Sequence, residues 1–301
     1  MEVTVTGASG FIGTALVRAL TGAGHRVRRL VRRAPAGPGE VGWDPAAGTI
    51  DTAGLAGVEA VVHLSGEGIA TRRWSEDHKR RIRESRTAST ALIARTLATL
   101  EPRPRVLLSG SAVGYYGHRG DEELTEASPP GDDFLAGVCR DWEAAVAPAA
   151  DAGVRTACLR TGIVLDPGGG ALARMLPLFR LGLGGPFGRG RQWWSWISLA
   201  DEIGAISHLL DTEVAGPVNL TAPEPVPNAE LARTLARVLG RPAVLPVPRI
   251  APSLVLGAEL AQSLLFDSIR VVPDVLTRSG YAFRHPRLEP ALRDMLDRPG
   301  R

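Results

Sequence analysis

The stretch Val3-Thr4-Val5-Thr6-Gly7-Ala8-Ser9-Gly10-Phe11-Ile12-Gly13 constrains the fold of this chain more than any other. Its first residues alternate and are β-branched, as expected for a short buried strand. Three glycines follow at the spacing G-x-x-G-x-x-G, and a helical pattern through Ile12, Leu16, Ala19 and Leu20 begins at once. In such a strand, turn and helix start, Gly7 supplies a backbone conformation closed to residues with a Cβ. Gly10 admits a phosphate to the main chain, and Gly13 lets the helix pack on the strand. Ser9, Phe11 and Ile12 complete the turn. The free N–H groups and positive dipole end of the helix form an anion site, so this context implies dinucleotide binding. A Walker-type phosphate loop would need a lysine after its last glycine, and Lys79 is the only lysine in the chain.

With 301 residues there is ample length for a real core, in one large or two modest domains. A content of 44% hydrophobic and 22% charged residues fits a globular chain rather than a disordered one. The net charge of +3 comes almost wholly from arginine. The densest basic run, Lys79 to Arg83 with Arg86, is interleaved with Glu76, Asp77 and Glu84. It therefore reads as a solvated helix face, and no nucleic-acid partner is expected. Cys139 and Cys158 form no C-x-x-C pair, and the six histidines form no H-x-x-x-H pair, so no metal site is expected. The chain starts directly on a strand without a cleavable apolar stretch. It also lacks the roughly 18-residue apolar run of a membrane span, so a cytoplasmic location and no membrane partner are expected.

Taken in order, His25 to Val31 reads as a second strand ending in Val31-Arg32-Arg33 with no acid. NAD enzymes place an acid here for the ribose hydroxyls, whereas arginine suits the 2′-phosphate of NADP. NADP(H) is therefore favoured over NAD(H), through Arg32 first and Arg33 second. A short strand pair is expected around Trp43. Val58 to Leu64 is an inner parallel strand that delivers Leu64, Ser65 and Gly66 to the cofactor. Ser75 caps a helix running toward Leu100, and Arg105 to Ser109 is a strand leading into Ser109-Gly110-Ser111 and Tyr115-Tyr116. Phe134 to Ala149 reads as one helix. Arg155 to Leu165 is a strand carrying Arg160-Thr161-Gly162 to the same carboxyl edge. The alternation implies an α/β fold, a doubly wound parallel sheet with helices on both faces. Residues 1–166 form the dinucleotide-binding domain, with about 197–222 returning to it, and 167–301 form a smaller α/β substrate-side domain. Three of the six tryptophans fall in Trp193-Trp194-Ser195-Trp196, which is either a packing cluster or a substrate wall. Asn228 is expected to cap an amphipathic helix, and further helices are expected over 251–265, 273–279 and 287–296.

Together these landmarks resemble the extended short-chain dehydrogenase/reductase superfamily. More closely, the chain is similar to a nucleotide-sugar epimerase-like branch whose members end in a small domain of unknown function. The matching pieces are Thr6 to Gly13, His63-Leu64-Ser65-Gly66, Ser111 to Gly117 and Phe134 to Glu143. Leu159 to Leu165, Gly184-Gly185-Pro186, Gly188 to Ile197 and Arg241-Pro242 continue the match, so the resemblance spans the chain. It implies NAD(P) bound by the Rossmann-type part and a small-molecule substrate, of the nucleotide-sugar class, under the C-terminal part. Members of the superfamily form dimers through helices corresponding to 75–100 and 134–149, and monomer and homodimer both stay open here.

The resemblance breaks at the chemistry. Ordinary members use a tyrosine made acidic by a lysine four residues on, because a phenol with a pKa near 10 is otherwise a poor base at neutral pH. Tyrosines occur only at 115, 116 and 281, followed four residues later by Arg119, Gly120 and His285, and the expected helix reads Phe134-Leu135 and Val138-Cys139. Two readings follow. In one, an epimerase-like oxidoreductase works through Ser111 as a hydroxyl donor, Tyr116 or Tyr115 as acid or base, and Glu126. Arg189 and Arg191 then pair with a diphosphate and Trp194 or Trp196 stacks on the substrate. In the other, the chain binds NADP(H) without turnover, as a sensor or structural protein. Ser198 also stands where the branch carries histidine after Trp-Ile.

Overall fold

A computed structural model describes residues 1–243 and 245–297; Val244 and residues 298–301 of the expected second domain lie outside the described residues. The first half runs β1 Glu2–Thr6, α1 Phe11–Gly22, β2 Arg26–Val31, β3 Glu40–Asp44, β4 Thr49–Ile50, β5 Ala60–His63, α2 Glu76–Thr99, β6 Val106–Ala112 and β7 Glu123–Leu124. Then come α3 Phe134–Ala144, α4 Ala147–Asp151, β8 Arg155–Thr161, β9 Ile163–Asp166, α5 Gly170–Arg180, β10 Trp193–Trp194, β11 Trp196–Ser198 and α6 Leu199–Asp211. The chain closes with β12 Gly216–Leu220, β13 Val226–Pro227, α7 Asn228–Leu239, α8 Ile250–Leu256, α9 Ala258–Ala261, β14 Arg270–Val271, α10 Asp274–Arg278 and α11 Leu288–Leu296.

Eight strands form one sheet in the order β12-β8-β6-β5-β1-β2-β3-β4, parallel except for the short β3–β4 pair. From β1 the chain winds outward through β2 and β3, then returns to the opposite side of β1 with β5, β6, β8 and β12. The reversal puts a crevice at the carboxyl ends of β1 and β5, which is where open α/β sheets bind ligands.

Side-chain alternation explains the layers. Val3, Val5, Ala60 and Val62 point to a core shared with Leu16 and Leu20 of α1 and Ile206 and Leu209 of α6. Val61 and Leu107 point the other way, onto Leu92, Ile93 and Leu97 of α2, with Trp43 at that end. A third core, under Phe179, Trp194, Trp196, Leu231 and Leu292, belongs to the later elements.

Several expected elements differ: the strand expected over 155–165 breaks at Gly162 into β8 and β9, the latter pairing with β11 outside the main sheet, and the helix expected over 251–265 divides into α8 and α9. The helix expected over 134–149 is two, because α3 ends at Ala144 and Pro148 lies in the first turn of a separate α4. Asn228 does not cap α7: its Oδ1 instead accepts the Phe187 N–H at 2.7 Å, pinning the 184–191 loop. Ser75 caps α2 as expected, accepting from the His78 N–H.

Candidate active site

The glycine turn closes on itself. Gly7 has φ +65, and a Cβ there would lie 2.8 Å from the Leu64 backbone. Gly13 lies so close to Gly7 that a Cβ would fall 2.1 Å from the Gly7 oxygen. Gly10, in extended backbone, heads α1 without a side-chain cap, so the first N–H groups of that helix face outward. Behind the turn, Thr6 Oγ1 accepts the Leu64 and Ser65 N–H groups at 3.1 and 3.2 Å and meets His63 Nδ1 at 2.7 Å. A hydroxyl that already accepts two N–H groups donates its proton, so Nδ1 of His63 is the acceptor and Nε2–H faces Ser89 Oγ at 3.1 Å. Burial drives the His63 pKa down to about 3, so the ring stays neutral and structural.

These groups open onto a cleft of about 1150 Å³ lined by Gly7 to Gly10, Arg29 to Arg33, Glu40, Trp43 to Ala46, Leu64 to Glu67, and Glu84, Ser85, Ala88 and Ser89. The two arginines of the β2 edge separate. Arg33 forms a two-pronged bond to Glu40, at 2.8 and 2.6 Å, and with the Ala36 N–H it holds the Glu40 carboxyl down near a pKa of about 2. Arg32 is exposed and has no hydrogen-bond or ion-pair partner among the described residues. Bare backbone N–H groups, side-chain-free glycines and an uncommitted guanidinium fit the pyrophosphate and 2′-phosphate of NADP(H).

Other expected cofactor contacts lie elsewhere. Phe11 packs against Gly169 and Gly170, and Ile12 joins the sheet core. Ser109 and Gly110 are buried within β6, with Gly110 against the Trp142 ring. Thr161 Oγ1 donates to Glu202 at 2.9 Å, and Gly162 abuts the Ser195 carbonyl. Arg160 is 2% exposed and fully engaged, so it serves a buried network rather than the coenzyme.

That network fills the carboxyl ends of β6, β8 and β12. Arg160 Nε and Nη2 bond both oxygens of Glu143 at 2.8 and 2.9 Å, and Ser111 Oγ donates to Glu143 at 2.7 Å. Arg160 Nη1 donates to the Tyr116 hydroxyl at 2.9 Å, and that hydroxyl donates to Asn219 Oδ1 at 2.7 Å. Tyr116 is wholly buried, and burial, outweighing the nearby Arg160 cation, pushes its pKa up to about 12. It cannot serve as the expected acid or base, and the Ser111 proton is committed to Glu143. Glu126 Oε1 accepts from the Asn219 and Val275 N–H groups at 3.0 and 3.2 Å; burial raises its pKa, and Oε2 is buried without a partner.

Tyr115 differs. It is half-buried, its hydroxyl has no hydrogen-bond partner among the described residues, and the Arg160 guanidinium lies 3.4 Å from the ring centre. Arg119 does not pair with it, since its fork grips Glu122 at 2.9 and 2.7 Å. The sequence reading missed Glu143, Asn219 and Glu202. A polar Asn219 inside the apolar Val218-Asn219-Leu220 strand was the visible signal for one of them.

A second cleft of about 430 Å³ brings Arg189 and Arg191 together with Arg249, His118, Phe187 and Phe266. Trp194 and Trp196 do not reach it. They are 5% and 0% exposed in the third core, and the Trp196 Nε1–H donates to the Glu224 carbonyl. Trp193 is the outward member, with Nε1–H on Asp121 at 2.9 Å and Arg270 over its ring. Ser198 faces no cleft either: it caps α6 and meets Asp201 and His285 Nδ1, each at 2.9 Å. Among the described residues no group of His, Cys, Asp and Glu could hold a metal ion, and no helix is long and apolar enough to cross a membrane.

Sheet order, switch-point crevice and glycine cradle define an NAD(P)-binding, Rossmann-type protein with an epimerase-like fold. The chain belongs to the NAD dependent epimerase/dehydratase family, whose model matches residues 3–221; a domain of unknown function, DUF1731, matches residues 247–295. It is 44% identical over 299 residues to an epimerase family protein of Mycobacterium bovis, covering 99% of this chain and 98% of that protein. The crystal structure of human epimerase family protein SDR39U1 with NADPH superposes with a TM-score of 0.91 at 37% identity, covering 99% of this chain and 100% of that one. The fold is shared more distantly with MoeE5 in complex with UDP-glucose and NAD, at a TM-score of 0.77 and 21% identity, covering 99% and 98% of the two chains.

Proposed function

We propose that this chain is an NADP(H)-dependent, epimerase-like oxidoreductase acting on a nucleotide-sugar substrate through a site without the tyrosine–lysine pair. Residues 1–166 with 197–222 hold the coenzyme and the remaining elements hold the substrate. The observation that carries the coenzyme choice is the uncommitted Arg32 at the mouth of the glycine-lined cleft. The NADPH in the human relative's crystal structure agrees with it. The coenzyme supplies hydride chemistry when bound. Gly7 to Gly10 and the α1 N-terminus hold its phosphates, and Leu64 to Gly66 form the facing wall. We assign proton exchange with a substrate hydroxyl to Tyr115, whose hydroxyl has no hydrogen-bond partner among the described residues and whose ring lies against Arg160. Arg189, Arg191 and Arg249 match a diphosphate through bidentate contacts. A cytoplasmic location accords with this chemistry.

A second reading, a cofactor-binding sensor without turnover, is favoured by the closed Ser111–Glu143–Arg160–Tyr116 network, which commits the Ser111 and Tyr116 hydroxyls to partners within the protein. The two separate when the protein is mixed with NADPH or NADP⁺ and a panel of nucleotide sugars. Absorbance of the reduced nicotinamide and sugar isomers are then followed. Turnover that disappears in Tyr115→Phe supports the enzyme, whereas tight coenzyme binding with a silent panel supports the sensor.

A further inference from the structure

All the large hydrophobic side chains that stand exposed among the described residues fall in two segments. Leu178, Leu181 and Leu183 lie at the end of α5 and just beyond it. Leu245, Ile250, Leu254 and Val255 lie on and before α8, a helix that buries none of its residues. The segments are neighbours: the Gly188 N–H donates to the Val247 carbonyl and the Val247 N–H to the Pro186 carbonyl, both at 2.8 Å. Leu181 and Val255 are each 72% exposed. A patch of this kind on a globular surface marks an interaction site.

Its charge is one-sided. Residues 167–200 and 240–258 contain no aspartate or glutamate. They carry Arg174, Arg180, Arg189 and Arg191 in the first segment and Arg241 and Arg249 in the second, all exposed. None of these forms an ion pair with a carboxylate among the described residues, although the Arg249 charge is felt at Asp267, whereas Arg26, Arg33 and Arg83 elsewhere on the surface are paired.

We propose that this face docks on an anionic lipid bilayer, with the leucines of the α5 end and of α8 entering the interfacial region and the arginines meeting lipid phosphates. Exposed leucines beside exposed arginines complement a surface that offers both phosphate charge and apolar depth, which an anionic bilayer provides. Cations at headgroup level beside shallow apolar insertions are the chemistry of interfacial membrane binding. The face adjoins the arginine-lined cleft through Arg249, so docking would bring the mouth of that cleft to the membrane surface.

The test is sedimentation of the full chain with vesicles of phosphatidylcholine alone or mixed with phosphatidylglycerol. Binding should require the anionic lipid and weaken at high salt. It should fall at least about tenfold in Leu181→Glu/Val255→Glu, and also in Arg180→Glu/Arg241→Glu. Thermal melts and NADPH affinity of both variants should match the parent. Binding to neither vesicle, or equal binding by the variants, overturns the proposal. So does a concentration-dependent dimer that Leu181→Glu/Val255→Glu abolishes in the absence of vesicle binding, which would assign the face to a second copy of the chain.

Discussion

Tyr115 and Tyr116 are adjacent in sequence and opposite in circumstance. Their rings meet edge to face, 5.3 Å apart, so the two side chains leave the backbone in different directions. Tyr116 ends in a sealed chain of hydrogen bonds to Arg160 and Asn219, whereas the half-buried Tyr115 has no hydrogen-bond partner for its hydroxyl among the described residues. Removing the Tyr116 hydroxyl orphans a buried guanidinium N–H and a buried amide oxygen. Tyr116→Phe should therefore cost about 1–3 kcal/mol of stability while NADPH affinity is kept. Tyr115→Phe should move the thermal midpoint little, because its hydroxyl has no hydrogen-bond partner among the described residues. Melts followed by circular dichroism check both, and equal losses would show that Tyr115 is held in the fold as firmly as its neighbour. The sequence could not separate the two, since the distinction lies in Glu143 and Asn219, remote in the chain and brought in by α3 and β12.

At the scale of elements, α6 carries the most unusual ionisation. Glu202 is wholly buried one turn into the helix, its Oε1 accepts from Thr161 at the end of β8, and its Oε2 has no partner. Burial raises its pKa to about 8. The unfolded chain releases that proton near the ordinary value of about 4.3, and the folded chain only near 8. This stability is therefore full below the unfolded value and is lost as pH rises through 8. Glu202→Gln should flatten the stability profile between about pH 5 and 8, read from urea midpoints at several pH values. A profile that keeps its slope there would mean that Glu202 is ionised in the fold. His63 acts with the opposite sign: its stability is present above about 6.5 and fades as pH falls toward 3. Strand and helix identities near the glycine turn were legible because alternation and capping are local signals. The break between α3 and α4 was less so, since the apolar period runs through Ala145 and only Pro148 interrupts it. Asn228 misled for a related reason: a good capping residue was claimed by a tertiary contact with Phe187.

At the scale of the whole molecule, the sheet's winding reverses beside β1, and that reversal creates the crevice on which the coenzyme reading depends. The doubly wound fold and the cradle were legible from the amino end. So was the pairing of Arg189 with Arg191 in one cleft, since both follow glycines in a single loop. The fate of Trp194 and Trp196 was not, because apolar aromatics serve a core and a substrate wall equally well until a partner layer is known. Here α5, α7 and α11 supply that layer. Arg32 ranked ahead of Arg33 in the sequence, and the fold supplies a physical reason by bringing Glu40 across from β3 to hold Arg33.

The central claim, a glycine cradle that binds NADP(H) with Arg32 reading the 2′-phosphate, is tested most directly by titration calorimetry of NADPH and NADH into the parent protein and Arg32→Ala. NADPH should bind the parent more tightly than NADH. Arg32→Ala should lose about tenfold or more for NADPH, the worth of a charge-assisted contact, with little change for NADH. Absence of heat with either coenzyme at millimolar concentration, or equal losses for both in Arg32→Ala, would contradict the account.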